Sequence, residues 1–111
     1  MDIDNTAQEV LENARNHGFE NDWDDYKKLC LIHSEISEAM EEIRHGHEPT
    51  ELYFTKDKDG KDKPEGFGIE LADTVIRIMH HCAHYNISLA EMIKIKMAYN
   101  EGRPYMHNLK A

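Results

Sequence analysis

The chain has 111 residues and a mass of 13.0 kDa, enough for one domain with a core small enough for self-association to enlarge. With 22 acidic residues against 13 lysines and arginines, the formal charge of -9 excludes nucleic acid as a natural partner, while 40% hydrophobic residues exclude a wholly disordered chain. No apolar run approaches the roughly 20 residues of a membrane span and no basic, apolar leader opens the sequence, so no membrane contact and a cytoplasmic location are expected.

A first helix is predicted over residues 6–16, where Ala7, Val10, Leu11 and Ala14 recur at helical spacing. Asn5 or Thr6 can cap it, and His17-Gly18 is a stop signal. An acidic connection then carries Trp23, the single tryptophan. Two roles suit that side chain: a plug at the end of a helical bundle, or a platform that stacks on a planar ligand such as a nucleobase.

The second helix is expected over 24–44, with Leu29, Ile32, Ile36, Ala39 or Met40, and Ile43 as its buried stripe. Glu35, Glu38 and Glu42 project as a second stripe beside it, whereas Glu41 points elsewhere. Arg44-His45-Gly46 marks the end. Residues 46–68 change in character, with two prolines, Gly60 and a run of alternating lysines and aspartates. That composition favours a solvated loop. A short hairpin is the other reading, from the strand-forming Leu52-Tyr53-Phe54-Thr55 and the Asp59-Gly60 turn signal, and its lysines would be within reach of a polyphosphate.

The third helix, over 68–85, is apolar around nearly half its circumference through Leu71, Ala72, Val75, Ile76, Ile78, Met79, Cys82 and Ala83. Its narrower polar face holds Glu70, Asp73, Arg77, His80 and His84. Asp73 and Arg77 have the spacing of an ion pair, and His80 and His84 that of two transition-metal ligands lacking an obvious third. Cys30 and Cys82 lie inside helical patterns and read as buried, reduced thiols. Ser88-Leu89-Ala90-Glu91 is a capping box that opens a fourth helix, with Met92, Ile95 and Tyr99 or Ala98 facing the core. Lys96, Asn100 and Arg103 form a donor patch suited to phosphate oxygens, and Gly102-Arg103-Pro104 ends the helix. The tail 105–111 shows no periodicity.

Two short acidic words stand out in this frame. Glu35-Ile36-Ser37-Glu38 reads E-x-x-E and Glu70-Leu71-Ala72-Asp73 reads E-x-x-D. Each places two carboxylates on one helical face, a turn apart. If the faces meet, four carboxylates converge, an arrangement that bound cations make tolerable at neutral pH. Oxygen-only ligands select hard ions, so Mg²⁺ is the expected metal and Mn²⁺ its substitute.

The ordered set Glu35, Glu38, Glu70, Asp73, Lys96, Asn100 and Arg103 resembles the all-α nucleotide pyrophosphohydrolases, or MazG-like proteins, over residues 24–104. The resemblance implies an all-α fold: one domain over 1–111 with a four-helix-bundle-type core, completed as a homodimer or homotetramer, and an insertion at 46–68. It also implies Mg²⁺ held by Glu35, Glu38, Glu70 and Asp73, and hydrolysis of a nucleoside triphosphate to the monophosphate and pyrophosphate, including non-standard nucleotides. Lys96, Asn100 and Arg103 would hold the substrate phosphates and Trp23 the base. Ser34 stands where many members carry a further glutamate, which leaves Glu38 and Glu42 as the carboxylates to activate water. Two other classes compete. A di-metal carboxylate bundle for redox chemistry wants E-x-x-H on two helices, and Glu42 with His45 supplies one. A non-catalytic dimerisation or binding module explains the wide apolar third helix alone.

Overall fold

A computed structural model describes residues 1–104, and among them the chain forms four helices and one antiparallel hairpin. The fold is therefore mostly helical rather than strictly all-α. Helix α1 spans Ile3–Asn16, starting earlier than predicted because the Asp2 side chain accepts from the Asn5 amide and caps a longer helix. Helix α2 spans Asp25–Arg44 with Asp24 as its cap, and α3 spans Phe67–His84. Helix α4 spans Leu89–Glu101, where the Ser88 side chain accepts from the Glu91 amide as the capping box requires.

The stops fall where glycine and asparagine announced them. After α1, Gly18 takes a φ of 78° and the Phe19 amide donates back to Ala14, the closure of a Schellman motif. Gly46 and Asn86 serve α2 and α3 in the same way, with φ of 87° and 56°. In the segment 46–68, expected mainly as a loop, β1 (Tyr53–Lys56) pairs with β2 (Asp62–Glu65), Tyr53 lying opposite Glu65 and Thr55 opposite Lys63.

Helix α3 is the centre of the molecule: α1 and α2 pack on it, α4 rests against α1, and β2 touches the start of α3. The buried side chains are small or few, namely Ala7, Leu11 and Ala14 of α1, Ala39 of α2, and Thr74 and Met79 of α3, and Gly66 ahead of α3 is buried too. The alanines let α1 and α2 approach α3 closely. Thr74 is satisfied by donating to the Glu70 carbonyl one turn back.

The expected core is larger than the one a single chain builds. Leu29, Ile36 and Ile43 of α2 were expected in the core, as was Met40 or Ala39; Ala39 is buried, yet Leu29, Ile36, Met40 and Ile43 are 42–53% exposed. They fall within about 60° of arc, beside the face that packs on α3, and the described residues leave about half of each side chain uncovered. Leu71, Val75 and Ile76 of α3 and Met92, Ile95 and Tyr99 of α4 are exposed too, as is Cys30. The radius of gyration, 16.6 Å, exceeds the roughly 13 Å of a compact chain this long, which reflects the same open arrangement. Among the described residues, no helix is long and apolar enough to cross a membrane. The tail 105–111 lies outside the described residues.

Candidate metal centre and its cleft

Helices α2 and α3 pack so that their acidic stripes meet. Glu35 from the first word and Glu70 and Asp73 from the second are all half-buried, and one carboxylate oxygen from each lies within 4.8 Å of the others. Arg77, one turn beyond Asp73, reaches into this group, with Nη2 3.4 Å from Glu35 Oε1 and Nε 3.8 Å from Asp73 Oδ2. Its Nε is buried without a hydrogen-bond partner, so the guanidinium compensates the carboxylates by charge more than by hydrogen bonding. The pair read from Asp73 and Arg77 is real, but it also includes Glu35 from the other helix.

One cation among three carboxylates leaves a deficit. Burial pushes the Glu35 carboxyl up to about 7, Asp73 and Glu70 push it further in the same direction, and Arg77 opposes them. A divalent cation would relieve that repulsion, and the donors are oxygens alone, which fits Mg²⁺ or Mn²⁺ better than a soft metal. The residues present therefore fit such an ion.

Glu38, expected as a fourth ligand, stands one turn along α2 from Glu35, exposed, and outside the three-residue group. It lines the same cleft, a cavity of about 820 Å³ between α2, α3 and the hairpin. Glu42 lines it as well, but is engaged. The Tyr53 hydroxyl donates to both Glu42 oxygens at 2.9 Å, His47 Nε2 lies 3.7 Å away, and the His47 ring stacks on Tyr53. The hydrogen bond to Glu42, helped by burial, pushes the Tyr53 phenol up to about 12, so it remains a donor. Of the two carboxylates expected to activate water, Glu42 anchors the hairpin and Glu38 stands open at the rim. His45 turns to Glu41 instead of joining Glu42, so that E-x-x-H does not gather into a metal site.

Comparison with known proteins leaves this geometry to speak for itself. No family model, curated protein or solved structure matches the chain.

The other expected site residues lie elsewhere. Lys96, Asn100 and Arg103 do come together on α4, around Tyr99: Lys96 Nζ is 4.8 Å and Arg103 Cζ 5.6 Å from its ring centre, and Arg103 Nη1 is 3.5 Å from Asn100 Oδ1. None of the three lines the cleft. Trp23 is also outside it, stacked on His84 at 3.7 Å and 8°, with Lys28 Nζ 5.0 Å from its ring centre. Its indole donates to Asp25 at 2.8 Å, so it plugs the end of the α2–α3 pair.

The histidine pair has its third partner after all. Both His80 and His84 bond to the carboxylate of Glu20, from the connection before α2, the latter at 2.8 Å. Burial works against ionising Glu20, but the two histidine bonds outweigh it and hold the carboxyl below its ordinary range. Glu20 is 60 residues from His80, and no spacing rule joins them. Sequence reasoning also missed Glu65 as a cleft residue and left Lys63 as one of several loop lysines. Strand alternation was the one signal that could have grouped them with Tyr53.

Proposed function

We propose that the chain is an Mg²⁺-dependent nucleotide pyrophosphohydrolase of the MazG-like kind, splitting a nucleoside triphosphate into the monophosphate and pyrophosphate. The observation that carries this reading is the meeting of Glu35, Glu70 and Asp73 in one open cleft, with Glu35 held near neutrality. Those three residues would hold the ion, and Glu38, lining the same cleft, would be the carboxylate to activate water. The metal supplies charge neutralisation at phosphate oxygens as a phosphorus–oxygen bond breaks. Arg77 keeps the carboxylates together, and the cleft gives a triphosphate room to lie along them.

Self-association belongs to the same proposal. The exposed stripe Leu29, Ile36, Met40 and Ile43 is the kind of surface a second copy buries, as a homodimer or homotetramer. Two free cysteines and a nucleotide substrate agree with a cytoplasmic location.

The test is a panel of nucleoside triphosphates, standard and non-standard, incubated with the full chain and Mg²⁺, with products identified. Turnover to monophosphate and pyrophosphate is expected for at least one, and Glu70→Gln and Asp73→Asn should each reduce it at least a hundredfold. Turnover that these variants leave unchanged would remove the site. No metal-dependent turnover or binding of any nucleotide would leave the helical dimerisation module as the better account.

A further inference from the structure

The hairpin bears on the cleft in a way its composition hides. Directly opposed residues of an antiparallel pair share a face, so Tyr53 with Glu65 and Thr55 with Lys63 put four side chains on one side of the ribbon. Tyr53 shows which side that is, since its hydroxyl donates to Glu42 on α2. Thr55 Oγ1 donates along the same face to Glu65 at 3.0 Å. Lys63 and Glu65 accordingly form one wall of the cleft, and Pro64, the strand residue between them, borders it as well.

That wall is fixed at both ends. Tyr53 ties the start of β1 to α2. At the junction of β2 and α3, Gly66 is buried at a φ of 130°, and a Cβ there would stand 2.4 Å from the Glu51 carbonyl oxygen. Only glycine allows the chain to pass so close, which sets β2 against the start of α3. A lysine on this ribbon is therefore presented by a braced strand, not by a wandering loop.

Charge explains what such a lysine is for. The cleft is lined by six carboxylates and a single lysine or arginine, Lys63. A nucleoside triphosphate brings about four further negative charges, of which one Mg²⁺ offsets two. The phosphate-binding patch expected on α4 does not line this cleft, so the remaining charge needs another cation. Lys63 is open to receive it: its side chain is 59% exposed and its ion pair with Glu65 is long, at 3.8 Å.

We propose that Lys63, braced on the hairpin wall, is a substrate-binding residue that holds the phosphate oxygens of the metal-bound nucleoside triphosphate. This rests on the pyrophosphohydrolase reading of the cleft. An ammonium group, with three donors on a flexible stem, suits a phosphate chain whose outer oxygens are not fixed in one plane.

The test titrates the full chain, with Mn²⁺ present, against a non-hydrolysable triphosphate analogue of whichever nucleotide the wild type binds, and separately against Mn²⁺ alone. Lys63→Gln should weaken analogue binding, and raise KM more than it lowers kcat, by about tenfold, with Mn²⁺ affinity changed less than twofold. Lys63→Arg should restore binding to within about threefold, and Lys58→Gln at the turn should leave it unchanged. The corresponding monophosphate should lose much less than the triphosphate analogue. Wild-type binding that Lys63→Gln leaves intact would overturn the role of Lys63 while the nucleotide reading stands. Loss of Mn²⁺ binding in Lys63→Gln would also overturn it, because the lysine would then be shaping the metal centre. Failure of the wild type to bind any nucleotide with metal would overturn the reading of the cleft and this role with it.

Discussion

Lowering the pH from 8 to 6 should weaken Mn²⁺ binding about tenfold, and Glu35 should be the cause. A carboxylate must be ionised to ligate a cation, and burial with Asp73 and Glu70 alongside holds Glu35 at about 7. About nine-tenths of it is then ionised at pH 8 and about one-tenth at pH 6, a difference of roughly 1.4 kcal/mol in apparent binding free energy. Calorimetric titration of the full chain at pH 6, 7 and 8 and constant ionic strength measures this, with Glu35→Gln as the comparison. That variant should bind more weakly and show little dependence over the same range. The metal-free protein should respond with the opposite sign. The folded-state value lies above the ordinary 4.5, so the native state holds the proton more tightly and this group's contribution to stability is lost as pH rises from about 4.5 to about 7. The full shift corresponds to roughly 3 kcal/mol, and solvent in an open cleft reduces that to roughly 1–2 kcal/mol. Added Mn²⁺ should restore the loss at pH 8. A Mn²⁺ affinity that is flat between pH 6 and 8, or a slope that survives in Glu35→Gln, would refute this account.

Three further outcomes are expected. Gly66→Ala places a methyl group 2.4 Å from the Glu51 carbonyl at a φ of 130°, so it should destabilise the fold by about 2–3 kcal/mol in denaturant titration, whereas Gly60→Ala, with open space around it, should cost only about 1 kcal/mol. Replacing Ile36 and Met40 by lysine should convert an oligomer to monomer in sedimentation velocity while far-UV circular dichroism stays helical; an unchanged sedimentation coefficient would assign the apolar stripe another role. Trp23→Ala should lower stability by about 2 kcal/mol through lost packing on His84, yet leave KM for any nucleotide within about twofold, and a large rise in KM would restore Trp23 as a base platform.

Much of the local structure was legible without coordinates because its causes are local. Gly18, Gly46 and Asn86 end three helices through backbone geometry they adopt cheaply, and Ser88 with Glu91 opens the fourth through a bond three residues long. The stripe of Glu70, Asp73, Arg77, His80 and His84 was likewise visible, since one helix fixes which of its residues share a face.

The sequence by itself thus determined four helices, where each stops, and which side chains stand together on each. Tertiary structure alone decided which faces meet. It selected Glu35 rather than Glu38 to join Glu70 and Asp73, engaged Glu42 at the cleft wall by giving its carboxylate to Tyr53, and brought Glu20 to His80 and His84. It also turned Lys63 toward the cleft and left the α2 stripe uncovered. Periodicity reports that a face is apolar or acidic, but the partner of that face depends on how close two helices come and where a connection lands, and those distances are set by small residues such as Ala39 and by the turn at Gly66.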